Sequence, residues 1–194
     1  MALLLATGAL HLVFENVFHA KGPFLLAVGC VWVVWIVRRW REEPGLPAAW
    51  GLTRAPLRAW METAAFTVPV AVGLLWIGPR LGHSVPGHVW ALAFLYLPWA
   101  LVQEVALQGI LLRGLETFVP GRAVVAVAGA LFALAHLPDP VLTGLTFAVG
   151  TVWAGLFLRH RSIWPLTVSH AVLGALTYLA VLGRDPWLAI VARF

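Results

Sequence analysis

Three ionisable side chains, Glu104, His136 and His170, lie within apolar stretches of this sequence. A charged group near the centre of a bilayer costs about 2.5–3.5 kcal/mol on insertion scales, so such groups persist mainly where they face a protein interior or a wet cavity. A carboxylate with two imidazoles can hold a Zn²⁺ ion that activates water, or can polarise a water molecule directly as a general base. The remaining histidine would then stabilise the oxyanion formed at an attacked carbonyl.

Two amide side chains accompany the carboxylate in the apolar stretch Leu101–Leu112. Gln103 directly precedes Glu104, and Gln108 follows it by four residues. On an α-helix Glu104 and Gln108 share one face, while Gln103 is rotated from Glu104 by about 100°. The sequence therefore predicts an apolar helix with polar chemistry on one face.

The composition is that of an integral membrane protein. Of the 194 residues, 61% are hydrophobic and 11% are charged, and the mean hydropathy is +0.90. A soluble domain of this composition would aggregate. With about 20 apolar residues needed for each crossing, we predict an all-α, polytopic transmembrane helix bundle of about seven spans, at residues 2–20, 23–40, 61–79, 89–115, 122–137, 140–158 and 163–183.

The charged residues indicate contact with a membrane and not with nucleic acid. The formal net charge is +5, but membrane proteins concentrate Lys and Arg in cytoplasmic loops. The stretch from Arg38 to Trp60 combines arginine with tryptophan, which is typical of an interfacial loop or a short amphipathic helix; the alternative is a solvated linker. A polar stripe on the first predicted span, formed by His11, Glu15 and His19, is either a helix edge or a second metal or proton site.

Three short patterns follow one another along the chain and carry the polar residues named above. They read Gln103-Glu104-x-x-x-Gln108, Phe132-x-x-x-His136 and His170-x-x-x-Gly174. They resemble the motifs Glu-Glu-x-x-x-Arg, Phe-x-x-x-His and His-x-x-x-Asn of the CPBP family, the CAAX proteases and bacteriocin-processing enzymes, also called type II CAAX prenyl endopeptidase-like intramembrane proteases. The resemblance covers about residues 95–180.

This resemblance implies the fold of a CPBP glutamic intramembrane protease. It implies N-terminal helices and an interfacial loop over residues 1–60, and a catalytic membrane core over residues 61–194. In the family the first glutamate and the histidine of the second motif activate water, while the histidine and asparagine of the third motif bind the oxyanion. The residues from Trp50 to Thr53 are also similar to a short segment that many members carry before the core.

The chain departs from the family pattern at three positions. Gln103 stands in place of the first glutamate, Gln108 in place of the arginine and Gly174 in place of the asparagine. Because an amide does not accept a proton at neutral pH, Gln103 cannot be the base. In one interpretation Glu104 has taken over as base, since the change from Glu-Glu-Arg to Gln-Glu-Gln conserves the net charge of the motif.

Other interpretations stay open at the first motif. The chain is a pseudoprotease that retains the fold for binding, immunity or chaperone function, or Gln103 is an engineered inactivation, which would leave Gln108 and Gly174 unexplained. A transporter or proton relay would need a continuous polar path across the bilayer. Outside the three motifs only Glu62 and the stripe on the first predicted span offer groups for such a path.

We therefore expect an intramembrane endopeptidase that cleaves near a membrane-embedded or lipid-modified C-terminal segment of a substrate protein. Glu104 is the expected base, His136 its partner on the water, and His170 the oxyanion donor. Substrate-positioning or oxyanion roles are expected at Gln103, Gln108 and Gly174. No cofactor is expected; the alternative is a zinc ion held by Glu104, His136 and His170.

The expected partners are a membrane-anchored substrate protein and the lipid bilayer. Strong use of Ala, Leu, Val, Gly and Arg, with almost no Lys, is typical of a GC-rich bacterial genome. We therefore expect a multi-pass protein of the bacterial inner membrane. Among substrates we expect proteins with a C-terminal surface-sorting helix, because the chain resembles the myxosortases in its compactness.

Overall fold

The computed structural model describes residues 6, 7, 10, 13, 21–186 and 188. Most of the first predicted span, with its stripe of His11, Glu15 and His19, lies outside the described residues and stays a prediction. In the part of the chain that is described, the regular structure is helical and contains no strand, which confirms the all-α fold class.

The helices follow one another along the chain with short connections. Their bounds are α1 Lys21–Glu42, α2 Leu46–Ala49, α3 Leu57–Ile77, α4 Val89–Leu115, α5 Ala123–Leu134, α6 Pro140–His160 and α7 Trp164–Val181. A 3₁₀ turn, Gly78–Leu81, extends α3. Two of the helices change to π-helical hydrogen bonding along part of their length, α4 at Val105–Leu112 and α7 at Thr177–Val181.

Among the described residues, four helices are long and apolar enough to cross a membrane: α3 with its 3₁₀ turn, α4, α6 and α7. In α7 61% of the apolar window is buried inside the protein, against 17–33% in the other three. Helices that keep most of their apolar surface exposed are suited to contact with lipid tails. These four helices confirm a helical membrane protein.

Two other predicted spans are helical but differ in length. The segment predicted at 23–40 forms the 22-residue helix α1, which ends with Arg39 and Arg41 in its last turn. The segment predicted at 122–137 forms only the 12-residue helix α5, which ends at Leu134. Pro138 explains the early end, because proline lacks an amide donor and disfavours helical geometry at the preceding residue.

The described residues form two compact units. The first contains the chain up to Arg54 together with Val102–Ile163. In it, α5 and α6 pack along each other, and both contact the π segment of α4. The approach of α5 and α6 requires a small residue, because a Cβ atom on Gly150 would lie 2.8 Å from Cδ1 of Phe132.

The second unit contains Ala55–Leu101 and the chain from Trp164 onward. In it, α3 packs along α7, and the hydroxyl groups of Thr67 and Ser169 are hydrogen-bonded at 2.7 Å. Beyond the membrane helices, the Nε2 atom of His88 lies 2.8 Å from Oδ2 of Asp185. These polar contacts join α3 and the loop before α4 to the last helix.

Candidate functional site

Glu104 lies where α4 changes from α-helical to π-helical hydrogen bonding. Its side chain is completely buried, with 0% exposure, and the π segment begins at the next residue, Val105. A π-helix bonds residue i to residue i+5 and is found mostly as short segments, frequently at functional sites. The continuous α-helix predicted for this stretch therefore gives way to π-helical hydrogen bonding directly after Glu104.

Gln108 is buried beside the carboxylate-bearing turn, with 2% exposure. Its Oε1 atom has no hydrogen-bond partner among the residues that the structure describes. A buried acceptor left in this state costs about 1–3 kcal/mol, so it marks a place for a water molecule or for a donor group of a ligand. Gln103, one residue before Glu104, is only partly buried.

The main chain at Trp50 holds the π segment from one side. A Cβ atom on Gly109 would lie 2.9 Å from Cβ of Trp50 and 3.1 Å from its carbonyl oxygen, so this approach needs glycine. One turn further along α4, Arg113 donates from Nη1 to the carbonyl oxygen of Ala49. The Trp50 side chain is itself buried and stacks on Trp35, with ring centroids 5.8 Å apart. The segment that resembles a family feature thus packs on the helix that carries the carboxylate.

The same segment is bonded to the end of α6. Gly51 has φ of +81°, and its carbonyl oxygen accepts a hydrogen bond of 3.0 Å from the amide of Ile163. Arg161, which also has a positive φ of 50°, forms two hydrogen bonds of 2.6 and 2.7 Å with the carboxylate of Glu116. The hydrogen bond from Arg161 lowers the pKa of Glu116 below its ordinary value. These contacts join the ends of α4 and α6 around the segment.

His136 lies in the turn that follows α5, two residues beyond the helix end, and not on a membrane helix as the sequence predicts. Its Nδ1 atom is 2.9 Å from the carbonyl oxygen of Phe132, and the two rings meet edge to face at 4.9 Å. Because a carbonyl oxygen only accepts, Nδ1 carries the proton, and the lone pair of the neutral ring is on Nε2. In the neutral imidazole with this tautomer, Nε2 is therefore the hydrogen-bond acceptor of the ring.

His170 and Gly174 belong to the second unit and lie one turn apart on α7. His170 is buried, with 5% exposure, and its ring meets the ring of Tyr96 edge to face at a centroid distance of 5.9 Å. A Cβ atom on Gly174 would lie 3.0 Å from Cε1 of Tyr96. Tyr96 is not among the residues that the sequence predicts for the site, because its contact with Gly174 joins two distant parts of the chain.

Among the side chains that the structure describes, no three His, Cys, Asp or Glu residues come together as a set of metal ligands. The zinc alternative and the expectation of no cofactor both stay predictions. In the first unit, a buried carboxylate and an imidazole are groups that can take a proton from water, and a buried amide oxygen can accept a hydrogen bond from it. In the second unit, a buried imidazole can donate a hydrogen bond to a developing oxyanion.

The helices and these side chains define a polytopic membrane protein with acid–base groups in its membrane part. Residues 85–192 match the family model described as type II CAAX prenyl endopeptidase Rce1-like. The match covers more than half of the chain, and the chain belongs to this family. The resemblance read from the three motifs is thereby confirmed, and family membership supports an intramembrane protease in general. No curated protein and no solved structure matches the chain.

Proposed function

We propose that the chain is an intramembrane endopeptidase in which Glu104 is the general base. The observation that carries this proposal is the complete burial of Glu104 at the start of a π segment, in a chain that belongs to a family of CAAX-type proteases. A carboxylate inside an apolar membrane helix is costly and is retained where it has a function. The family supplies the reaction, and the burial selects the residue.

The reaction is the hydrolysis of one peptide bond. The Glu104 carboxylate takes a proton from a water molecule while the water oxygen attacks the carbonyl carbon of the substrate. The resulting tetrahedral oxyanion collapses, the carbon–nitrogen bond breaks, and the departing nitrogen receives the proton from Glu104. One water molecule is consumed, and the products are a carboxylate and an amine.

The other polar residues have supporting roles in this proposal. His136 orients the attacking water through Nε2, because Nδ1 is committed to the carbonyl oxygen of Phe132. Gln108 offers its buried Oε1 atom to the water or to a backbone amide of the substrate. Gln103 hydrogen-bonds the substrate backbone. His170 donates to the oxyanion, a role in which a positioned donor contributes about 10²–10³ in kcat.

The proposed substrate is a protein whose C-terminal segment is embedded in the membrane, and the proposed cleavage removes a surface-sorting helix. The proposed location is the bacterial inner membrane. Four apolar helices and the arginine- and tryptophan-rich stretch from Arg38 to Trp60 support a membrane location in general. A water molecule shielded from bulk solvent would interact more strongly with every charged group around it.

A second candidate function is binding without catalysis. The observation that favours it is Gln103, which stands where the family motif has its first glutamate. In this alternative the chain retains the fold and binds apolar segments as a pseudoprotease, in an immunity or chaperone role. His136 and His170 would then be replaceable without loss of function.

Purified chain in detergent micelles tests the two candidates against each other. One probe is a reporter protein fused to a C-terminal apolar sorting helix, and the other is a farnesylated peptide that ends in Cys-a-a-X; products are identified by intact mass. We expect cleavage by the chain, a loss of about 10²–10⁴-fold in Glu104→Gln, and parent-like cleavage in the matched control Glu116→Gln. Metal analysis of the same preparation, with activity measured after chelation, tests the zinc alternative.

The variant Gln103→Glu decides between the two candidates. If only this variant cleaves a probe, the chain as it stands is an inactive protease and the binding function is the correct one. If the parent cleaves and Glu104→Gln is as active as the parent, the general base has been assigned to the wrong residue.

A further inference from the structure

The space beside Gly174 is filled by an aromatic ring from another helix. A Cβ atom built on Gly174 would lie 3.0 Å from Cε1 of Tyr96, 3.5 Å from Cδ1 and 3.8 Å from Cζ. The first of these distances is shorter than ordinary van der Waals contact. The Tyr96 ring therefore occupies the volume in which a side chain at position 174 would begin.

The same ring contacts His170, one helical turn before Gly174. The two ring centroids are 5.9 Å apart, and the ring planes are inclined at 69°. In such an edge-to-face contact the positive edge of one ring meets the negative face of the other, and aromatic pairs of this kind are worth about 0.5–1.5 kcal/mol beyond area burial. The neighbours of Tyr96 on α7 thus include a glycine that makes room for it and a histidine that it contacts.

We propose that Tyr96 is a positioning residue for His170, acting through its ring in the place of a side chain at position 174. This inference rests on the proposed function for the role of His170 and deepens it. A donor to an oxyanion is effective only when its geometry is held before the charge develops. An imidazole in mid-helix has two rotatable bonds, and the adjacent ring restricts both.

This arrangement predicts that the effects on kcat of substitutions at positions 96 and 174 are not additive. Gly174→Asn alone forces the Tyr96 ring to move and takes His170 out of position. Tyr96→Ala alone leaves a cavity beside the imidazole. The double variant Tyr96→Ala/Gly174→Asn removes the ring and supplies a polar side chain one turn from His170. Its kcat should therefore be higher than the kcat of either single variant.

The experiment measures kcat and KM on the sorting-helix reporter, with thermal unfolding of every variant in the same micelles. We expect the kcat of Tyr96→Phe to lie within about twofold of the parent kcat, because the ring is kept. We expect Tyr96→Ala to lower kcat by about 10–100-fold with little change in KM, since small misplacements near the reacting atoms cost up to about 10²-fold. Tyr178→Leu, a change at the other tyrosine of the chain, is the matched control and should stay close to the parent.

Gly174→Ala keeps the test decisive if Tyr96→Ala fails to fold. It adds only one methyl group, and alanine favours the helix over glycine. We expect a several-fold lower kcat with no lower unfolding temperature. The proposal is overturned if Gly174→Ala retains the parent kcat, if a folded Tyr96→Ala retains it, or if Tyr96→Phe loses as much kcat as Tyr96→Ala.

Different results would refute the proposed function and the role of Tyr96. If the folded parent cleaves neither probe, the proposed function fails and the inference fails with it. If the parent cleaves, Glu104→Gln does not, and Tyr96→Ala matches the parent, only the inference on Tyr96 is wrong.

Discussion

Two candidate functional residues, one in each unit, are His136 and His170, and the contacts observed at each differ in kind. His136 lies in a turn, and a main-chain carbonyl oxygen determines which of its ring nitrogens carries the proton. His170 lies within a buried helix, where the ring of Tyr96 meets it edge to face. A hydrogen bond that fixes a tautomer suits a residue that exchanges protons with water. Packing that fixes orientation suits a donor that stays in place while charge develops.

Among the variants that test this difference between the two histidines, the largest loss of cleavage rate is expected at His136. His136→Ala should lower the cleavage rate by about 10²–10⁴-fold, the usual range for loss of an acid–base group. His136→Gln should retain more activity than His136→Asn, because the longer amide reaches toward the position of Nε2 and the shorter one toward that of Nδ1. Single-turnover rates on the reporter measure both. The opposite order would assign the chemistry to Nδ1 and remove the contrast between the two histidines.

At His170 the expected loss is about 10²–10³-fold in kcat, the range found when an oxyanion donor is removed. His170→Phe keeps an aromatic ring against Tyr96 but has no polar atom. It should therefore unfold at nearly the parent temperature while kcat falls. If His170→Phe retains activity, His170 serves only to pack the helix and the proposed donor role is wrong.

Gly109→Ala tests how the main chain holds the carboxylate-bearing helix. The added methyl group would lie 2.9 Å from Cβ of Trp50 and 3.1 Å from its carbonyl oxygen, and overpacking of this kind costs about 1–3 kcal/mol. Gly155 of α6 has nothing within 4 Å of its Cβ position, so Gly155→Ala is the matched control and should be neutral or slightly stabilising. Equal unfolding temperatures for the two variants would show that the Trp50 contact is dispensable.

The smallest effect is expected at the ion pair of Glu116 and Arg161. The side chains are 30% and 48% exposed, so the pair should contribute less than about 1 kcal/mol. Because the hydrogen bond from Arg161 lowers the pKa of Glu116 in the folded protein, the stabilisation is fully present above the unfolded-state pKa. It is lost as the pH falls through the folded-state pKa. Unfolding temperatures measured from pH 6 to pH 3 should fall more steeply for the parent than for Glu116→Gln.

The membrane helices were the most predictable part of the fold. Long apolar stretches impose helices because backbone polar groups have no water to bond with inside a bilayer, and the predicted bounds of α4 and α6 agree with the structure to within two residues. The burial of Glu104 was also predicted, since an ionisable group in such a stretch has to face protein. The family motifs supplied the remaining site residues in order.

Three features of the site were not predictable from spacing alone. The π segment after Glu104 has no distinct residue pattern that would separate it from an α-helix. The turn at His136 depends on where α5 ends. The fit of Tyr96 against Gly174 joins residues far apart in the chain, and a single sequence carries no sign of such a contact. Each depends on tertiary packing, which local periodicity does not encode.

The π segment also affects how this chain should be aligned with its relatives. A π turn accommodates more residues than an α turn over a similar rise, so a helix that contains one can be read as an α-helix with a residue inserted. A relative could lack one residue between positions 105 and 112 and form a regular α-helix there. Its residues after this stretch would then lie on the same helix faces as the corresponding residues of this chain. Sequence comparison across this stretch should therefore be anchored at Glu104 and Arg113, with a gap permitted between them.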